Sequence, residues 1–536
     1  IRTHSMNNRI SRPFRAARRG KRTGVIALVG AAALVAVGLA GCSSGASSSG
    51  STAAANQTLK IGFSAEPPGF KTGVDQGSAN KQLLTLVRRG LLAYGPKGDV
   101  VPALASSFKV SDDGLSYTFT LRDKLAFSDG KTLTSADVKR TFQYLADPAN
   151  GAADQVTFAN ITSIDTPDAK TVTLTLAKPQ TALPKVLASP LSAIVPENPV
   201  DANGVPIGDG PFAVTDYKKG VSYTLKANPG YYDASSVKLK EIDMTFMADA
   251  QTRVRALQSG QVQFIDYVAA SDYAALKKVK GVKLDSSYGL YGALQFNMTQ
   301  GPLAKPEVRQ AIAYALDLKS MNQAGTLGFG TANGGLPISV KSDYFNKEQA
   351  NHFALDLDKS KQLLSAAGYA GGGFTLRLLT NSQYFGFTER AQVVKSDLEK
   401  VGITVDLETG DYANQIAKGN SGDYDLMIGG PPAAIDDPAA ISGAFLGGPT
   451  FVRSVGINQD LYSALLQKGA ETPDGADRKA IYDQIGEIYL KDVPFVTWGM
   501  GTAAYAYSDS LQGFHMLSGA VVYSSMYSLA TAQLTK

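Results

Sequence analysis

The chain of 536 residues contains one cysteine, one tryptophan and three histidines. Nothing follows Cys42 that could pair with it in a disulfide, so the globular part must hold together through its packed core. The histidines His4, His352 and His515 are far apart and in no H-E-x-x-H or H-x-H setting, which excludes the common zinc hydrolase sites; no metal and no cofactor are expected. A G-x-S-x-G serine elbow is missing from the globular part, and Gly419-Asn420-Ser421-Gly422 has the wrong spacing for one. Gly328-Phe329-Gly330 with Gly334 places its third glycine one residue late for a dinucleotide loop and has no strand before it, so it reads as a flexible turn. No short internal repeat is found, which argues against a solenoid or propeller.

Only one long apolar run exists, from Val25 to Ala40, and it follows the basic residues Arg9, Arg12, Arg15, Arg18, Arg19, Lys21 and Arg22. A basic segment followed by a run too short to span a hydrocarbon core of roughly 30 Å is the pattern of an export signal. Met6 is a candidate start, and Arg18-Arg19 raises a twin-arginine route, although Gly20-Lys21-Arg22 lacks the apolar pair of such signals. The run closes on Leu39-Ala40-Gly41-Cys42-Ser43, which resembles the lipobox of bacterial lipoproteins, where the cysteine thiol accepts the lipid. Residues 1–41 are therefore expected to be a signal peptide, Cys42 the lipidation site and membrane anchor, and residues 42–57, rich in Ser, Gly and Ala, a flexible tether on the outer face of the cytoplasmic membrane. Removing the eight basic side chains of residues 1–41, which include no acid, takes the formal charge from +5 to −3. With the basic excess gone, nucleic acid is not an expected partner.

From Thr58 onward the composition is that of a globular α/β protein. Tyr117-Thr118-Phe119-Thr120-Leu121 and Val172-Thr173-Leu174-Thr175-Leu176 alternate as half-buried strands. Val308, Ile312 and Leu316 recur at helical spacing after Pro306, and Ile481, Ile485, Ile488 and Tyr489 share another helix face. Asp356 and Asp358 open a helix that stops at Gly368, and a helix over 389–400 ends at Gly402 before the strand pattern of Ile403, Val405 and Leu407.

One stretch is more specific: Val101-Pro102-Ala103-Leu104-Ala105, then Ser111-Asp112-Asp113-Gly114 leading into the Tyr117 strand, then Phe127-Ser128-Asp129-Gly130-Lys131 and Thr134-Ser135-Ala136-Asp137. Physically it is a hairpin with two Asp-Gly turns and a helix capped by Thr134 with Asp137 at the third position. Further segments follow in order: Gly208-Asp209-Gly210-Pro211-Phe212, Asn228-Pro229-Gly230-Tyr231-Tyr232, Gln295-Phe296-Asn297-Met298 and Val308-Arg309-Gln310-Ala311-Ile312. Together they resemble the family 5 bacterial solute-binding proteins, which include the dipeptide, oligopeptide and nickel-binding components of ABC importers. The resemblance implies an α/β two-lobe fold like that of periplasmic binding proteins, of class II or cluster C type, with a subdomain inserted in lobe one. Lobe one is expected over 58–287 with the insertion at about 73–194, lobe two over 288–497, and a return to lobe one over 498–536. It also implies a monomer that binds a small molecule or peptide, with ABC transporter permease subunits as partners.

Peptide-binding members carry a loop whose acid neutralises the peptide's α-amine, since an unpaired charge is costly in a closed cleft. The matching segment is Gly430-Pro431-Pro432-Ala433-Ala434-Ile435-Asp436-Asp437-Pro438, with Ala434 at the position of that acid and Pro431 at that of the family's Trp. Asp436, two residues later, is the alternative amine partner; otherwise Asp436 and Asp437 read as solvated turn residues. The remaining ligand-binding candidates are Trp498, Tyr288 and Tyr291 as aromatic platforms, Asn297 as a two-way hydrogen-bonding group, and Glu66 in the first strand's loop. Peptide capture leads, an oligosaccharide or other non-peptide metabolite is the alternative, and a secreted hydrolase using Asp436 or Asp437 stands as a third reading.

Overall fold

In the computed structural model the described residues are 56–382, 386–430, 435–448 and 450–535. The signal segment, Cys42 and most of the tether, together with Pro431 and Ala434, lie outside them.

Two strands of unusual length organise the molecule. Val282–Phe296 and Phe495–Ser508 are rich in aromatic and small residues, and they pair antiparallel from Val282 against Ser508 to Gln295 against Phe495. They form the middle of one ten-stranded sheet. On one side stand Leu426–Gly429, Thr375–Asn381 and Thr404–Gly410; on the other, Phe264–Ile265, Thr58–Phe63, Glu241–Phe246, Ser222–Ala227 and Phe212–Lys218. The ladder between the long strands slips twice, between Tyr288 and Tyr291 and between Gly292 and Ala293. Gly289, Gly292, Gly499 and Gly501 crowd this break, and Gly499 has φ +117°, a backbone state that L side chains rarely adopt. The sheet is thereby divided into two halves, each with its own hydrophobic cores. Leu59, Ile61, Ile242 and Phe264 are buried in one, and Leu294, Ile312, Leu378 and Val405 in the other.

Local chemistry accounts for the helices around these cores. Pro306–Ala315 begins at its proline, and Asp356 accepts the Lys359 N–H to cap Leu357–Ala366. Ser135–Ala146 carries the full capping box of Thr134 and Asp137. Phe387–Glu399 runs ahead of the strand Thr404–Gly410, with Gly402 in the left-handed region at φ +84°.

The segment over 328–335 differs from its expectation as a flexible turn. Thr331 N–H donates to Met500 O at 2.9 Å, Met500 N–H returns to Thr331 Oγ1 at 2.7 Å, and Thr497 Oγ1 donates to Gly335 O at 2.7 Å. A glycine-rich stretch can lie this close to a neighbouring backbone, because a Cβ at Gly330 would come within 2.5 Å of Met500 O. It is a strap pinned to the second long strand.

A separate four-stranded antiparallel sheet holds Ala105–Val110, Ser116–Leu121, Thr171–Leu176 and Ile161–Asp165 in that order and packs under the helix Ser135–Ala146. This subdomain reaches the second half-sheet's side of the molecule: Thr181 N–H donates to Ala470 O at 3.1 Å, and Thr181 Oγ1 to Thr472 O at 2.9 Å. Its core also takes in Ile435, Leu517 and Val521.

Candidate functional site

A cavity of about 40 Å³ opens beside the break in the long strands, bordered by Tyr291, Met500, Ile338, Asp436, Ile441 and Ala520. Those residues come from both long strands, the strap's continuation, the loop around Asp436 and the C-terminal segment Gly519–Ala530. Such a volume suits a water molecule, so a larger guest requires the halves to part.

Four of the six sequence candidates gather around this break. Tyr291 is buried, donates its hydroxyl to Ile338 O at 2.7 Å and accepts from Asn333 Nδ2 at 2.9 Å; burial raises its phenol well above the ordinary tyrosine value. Tyr288 lies under the Lys341 ammonium, 5.7 Å from the ring centre. Asp436 stands on the exposed rim, and its carboxylate meets no hydrogen-bond donor among the described residues. Surrounding protein raises its pKa, against the pull of Lys185 and Lys341. Trp498 is only 3% exposed; its indole covers Gly292, where a Cβ would come 2.2 Å from the ring, and it faces the Arg390 guanidinium at 5.4 Å.

Asn297 and Glu66 sit elsewhere. The Asn297 amide donates to Gly422 O at 3.0 Å and its oxygen accepts from Thr299 N–H and Oγ1, so both ends are used in tying loops together. Glu66 accepts from the Tyr217 hydroxyl at 2.5 Å and from Gly220 N–H at 3.1 Å; the Tyr217 bond is the main cause that holds its carboxyl below the usual range.

The expectation that Asp437 is a solvated turn residue is corrected. Its carboxylate is buried, receives Arg478 Nη2 at 2.7 Å and Lys185 Nζ at 2.9 Å, and caps Pro438–Ile441 by accepting Ala439 N–H at 2.9 Å. Burial pushes its pKa up, but Arg478's hydrogen bonds and the Lys185 charge outweigh burial and hold the group below the ordinary carboxylate value. A carboxylate kept ionised by two cations is a poor proton donor and a poor nucleophile, which removes half of the acid pair that hydrolysis would use. Lys185 belongs to the inserted subdomain and Arg478 to Ala476–Asp492, so Asp437 also joins the two sides of the molecule.

Sequence reasoning missed Tyr267 and Tyr523. Their rings stack at 5.7 Å with 5° between planes, and the Tyr523 hydroxyl donates to that of Tyr267 at 3.1 Å. Tyr267 has φ +52° yet is 37% exposed, and strain of that kind clusters at ligand-contacting positions. Its carbonyl is held by Arg253 Nη2 at 3.1 Å, while the preceding Asp266 is fixed by Ser64 and Gln82. Tyr412, on the far side of the sheet's break, lies near enough for the Tyr267 and Asp75 charges to add to the effect of burial in raising its phenol. Backbone strain leaves no mark in a single sequence. Tyr267→Asn, which suits the left-handed region and removes the ring, is expected to leave stability within about 1 kcal/mol of wild type and to weaken, up to about tenfold, the binding of any ligand that rests on the stacked pair, read by calorimetry. Unchanged binding would mean that the stacked pair has no part in ligand contact.

Comparison with known proteins places these features in context. The family model described as bacterial extracellular solute-binding proteins, family 5 Middle, matches residues 99–451. The glutathione-binding protein GsiB of Escherichia coli is 27% identical over 466 residues, covering 83% of this chain and 90% of that protein. The periplasmic binding protein AgaA of A. tumefaciens, solved with agropinic acid, is 36% identical with a TM-score of 0.81, over 89% of this chain and 99% of that one. The binding protein DppA of Helicobacter pylori, solved with the peptide STSA, shares the fold at 23% identity and a TM-score of 0.77, over 89% of this chain and 98% of that one.

Proposed function

This chain belongs to the family 5 bacterial extracellular solute-binding proteins, and on that footing we propose that it captures a short peptide between its two lobes and hands it to a membrane permease. Proteins of this family work with ABC importers outside the cytoplasm. The carrying observation is the cavity at the glycine-rich break: residues of both long strands, the loop around Asp436 and the C-terminal segment border it, and the ladder of the two long strands slips there. A ligand that touches both lobes favours the closed population in proportion to its extra contacts in that state. In this reading Asp436 takes the peptide's ammonium, and Tyr288, Tyr291 and Trp498 supply apolar surface. No covalent chemistry is involved. The monomer acts at the outer face of the membrane, tethered through lipid on Cys42; no helix among the described residues is long and apolar enough to cross a membrane.

A second reading, a non-peptide acid, draws on AgaA, whose solved ligand is agropinic acid and which is the more similar of the two solved proteins described above. Mass spectrometry of the purified domain, native and then denatured to release small molecules, separates the two. Released peptides of narrow length favour the first reading; a single non-peptide acid favours the second. Turnover of an added ligand, in place of its return unchanged at saturation, would sink both.

A further inference from the structure

Charge is unevenly placed on this chain. Without residues 1–41 its formal charge is −3, yet Lys277, Lys278, Lys280 and Lys283 stand close together with no acid between them. All four residues are exposed, and none forms an ion pair among the described residues; Lys277 lies 6.0 Å from the centre of the Phe329 ring. Lys240, exposed and likewise without an ion pair, joins them from just before the strand Glu241–Phe246. The acids near them are mostly engaged: Asp285 accepts the Tyr507 hydroxyl at 2.7 Å, Glu241 faces Lys226 at 4.0 Å, and Asp272 accepts from Gln251 Nε2 at 2.9 Å, while Asp509 stays exposed beside Gly281. Lysine therefore outweighs acid on this part of the surface, against the sign of the whole.

Strand direction brings these lysines to the end of the molecule from which the N-terminal segment departs. Thr58–Phe63 runs parallel to Glu241–Phe246 and to Phe264–Ile265; the latter is antiparallel to Phe495–Ser508, which is antiparallel in turn to Val282–Phe296. The first residues of Thr58–Phe63, Glu241–Phe246 and Val282–Phe296 and the last of Phe495–Ser508 consequently share one end of the sheet. Hydrogen bonds close that edge. Lys240 N–H donates to Gln57 O, Gln57 Nε2 to Leu534 O, Thr535 N–H to Ser510 O and Asp509 N–H to Gly281 O, each at 2.8 Å. The point of departure at Gln57 and the lysines on either side of Gly281 thus belong to one face.

We infer that this lysine-bearing end of lobe one is a membrane-facing surface that rests against the phosphates of anionic lipid headgroups. The inference rests on the reading that Cys42 carries the anchor. A Ser- and Gly-rich chain as long as residues 42–57 reaches roughly 20 Å, so the end on which Gln57 stands is the end held near the lipid. Surface charges act over a Debye length of about 8–10 Å, which a body on so short a lead enters continually. Each lysine beside an anionic surface strengthens binding about fivefold, little alone and enough together where the lead keeps the effective concentration high. The lipid sets how far the domain strays, and the lysines set which way up it stands.

The test leaves out the anchor so that the lysines act alone. The chain from residue 42 carrying C42S is mixed at low salt with vesicles of phosphatidylcholine, or of phosphatidylcholine with about one-third phosphatidylglycerol, and the bound fraction is read by sedimentation. Partitioning is expected to be about tenfold stronger on the anionic vesicles, despite the negative net charge of the protein, and to vanish at about 0.5 M NaCl. In the same background K277Q/K278Q/K280Q/K283Q should lose that preference, whereas K319Q/K347Q/K359Q/K361Q, which removes as much charge from exposed residues of the other half, should keep it. Thermal unfolding checks that each variant is folded; where a quadruple variant is not, K278Q/K280Q and K359Q/K361Q take their places. No binding of the C42S protein to anionic vesicles, equal binding to both kinds, or an equal effect of the two sets of substitutions overturns the assignment. Failure of the anchor reading is distinct, since it appears in the intact chain made in a bacterial host as an N-terminal peptide with no lipid on Cys42, read by mass spectrometry.

Discussion

Asp437→Ala destabilises the fold by about 3–5 kcal/mol, the cost of removing one partner from a buried ion pair. The Arg478 side chain is completely buried and the Asp437 side chain 1% exposed, so neither charge has water to fall back on. Once Asp437 is gone, the guanidinium retains Gly469 O at 2.7 Å and Asp474, whose side chain is 62% exposed and pairs in screened solvent. The same substitution releases the cap on Pro438–Ile441 and frees Lys185. Urea unfolding should show a lower midpoint with an unchanged slope. Lys185→Ala is the control: it breaks only the link to the inserted subdomain, from a partly exposed side chain, and costs at most about 1 kcal/mol. An Asp437→Ala protein within about 1 kcal/mol of wild type would mean that the buried pair contributes little to the fold.

The second large effect is expected from Gly292→Ala. The new Cβ would stand 2.2 Å from Cε2 and Nε1 of Trp498, and an indole in a packed core has no small adjustment that clears such a contact. Overpacking of this kind costs about 1–3 kcal/mol. The indole must leave the surface of Gly292, and its stacking on Arg390 goes with it. Trp498 is the chain's only tryptophan, so intrinsic indole fluorescence reports on this position alone. A red-shifted emission together with weakened ligand binding is the expected result; an unchanged spectrum would show that the long strands can separate here without disturbing the ring.

Local rules made much of the fold legible. The turn at Asp113-Gly114 could be read because Asp113 Oδ1 accepts the Leu115 N–H and Gly114 takes φ +69°, both consequences of residue type within three positions. The Thr134 and Asp137 capping box was legible for the same reason. Adjacent Asp436 and Asp437 were indistinguishable in the sequence, and the structure sends one to the cavity rim and the other into a buried pair. The difference arises from Lys185 and Arg478, which lie 252 and 41 residues away. Aromatic candidates near the long strands were found through resemblance, and Trp498 through its rarity.

The break at Gly289, Gly292, Gly499 and Gly501 also fixes how the molecule can bend. Both long strands pass unbroken from one half to the other, so the halves cannot slide past each other; they can only fold about a ribbon two strands wide. A ribbon of that kind resists shear in its own plane and yields out of plane where its rungs are out of step. Trp498 sits at the fulcrum, and the contact of Lys185 with Asp437 stands at the cavity beside it. A guest that turns the halves about this fulcrum would have to make or break that ion pair as a whole. On the proposed function, occupancy at the cavity would change the outline of the surface around it, the part that a permease would meet.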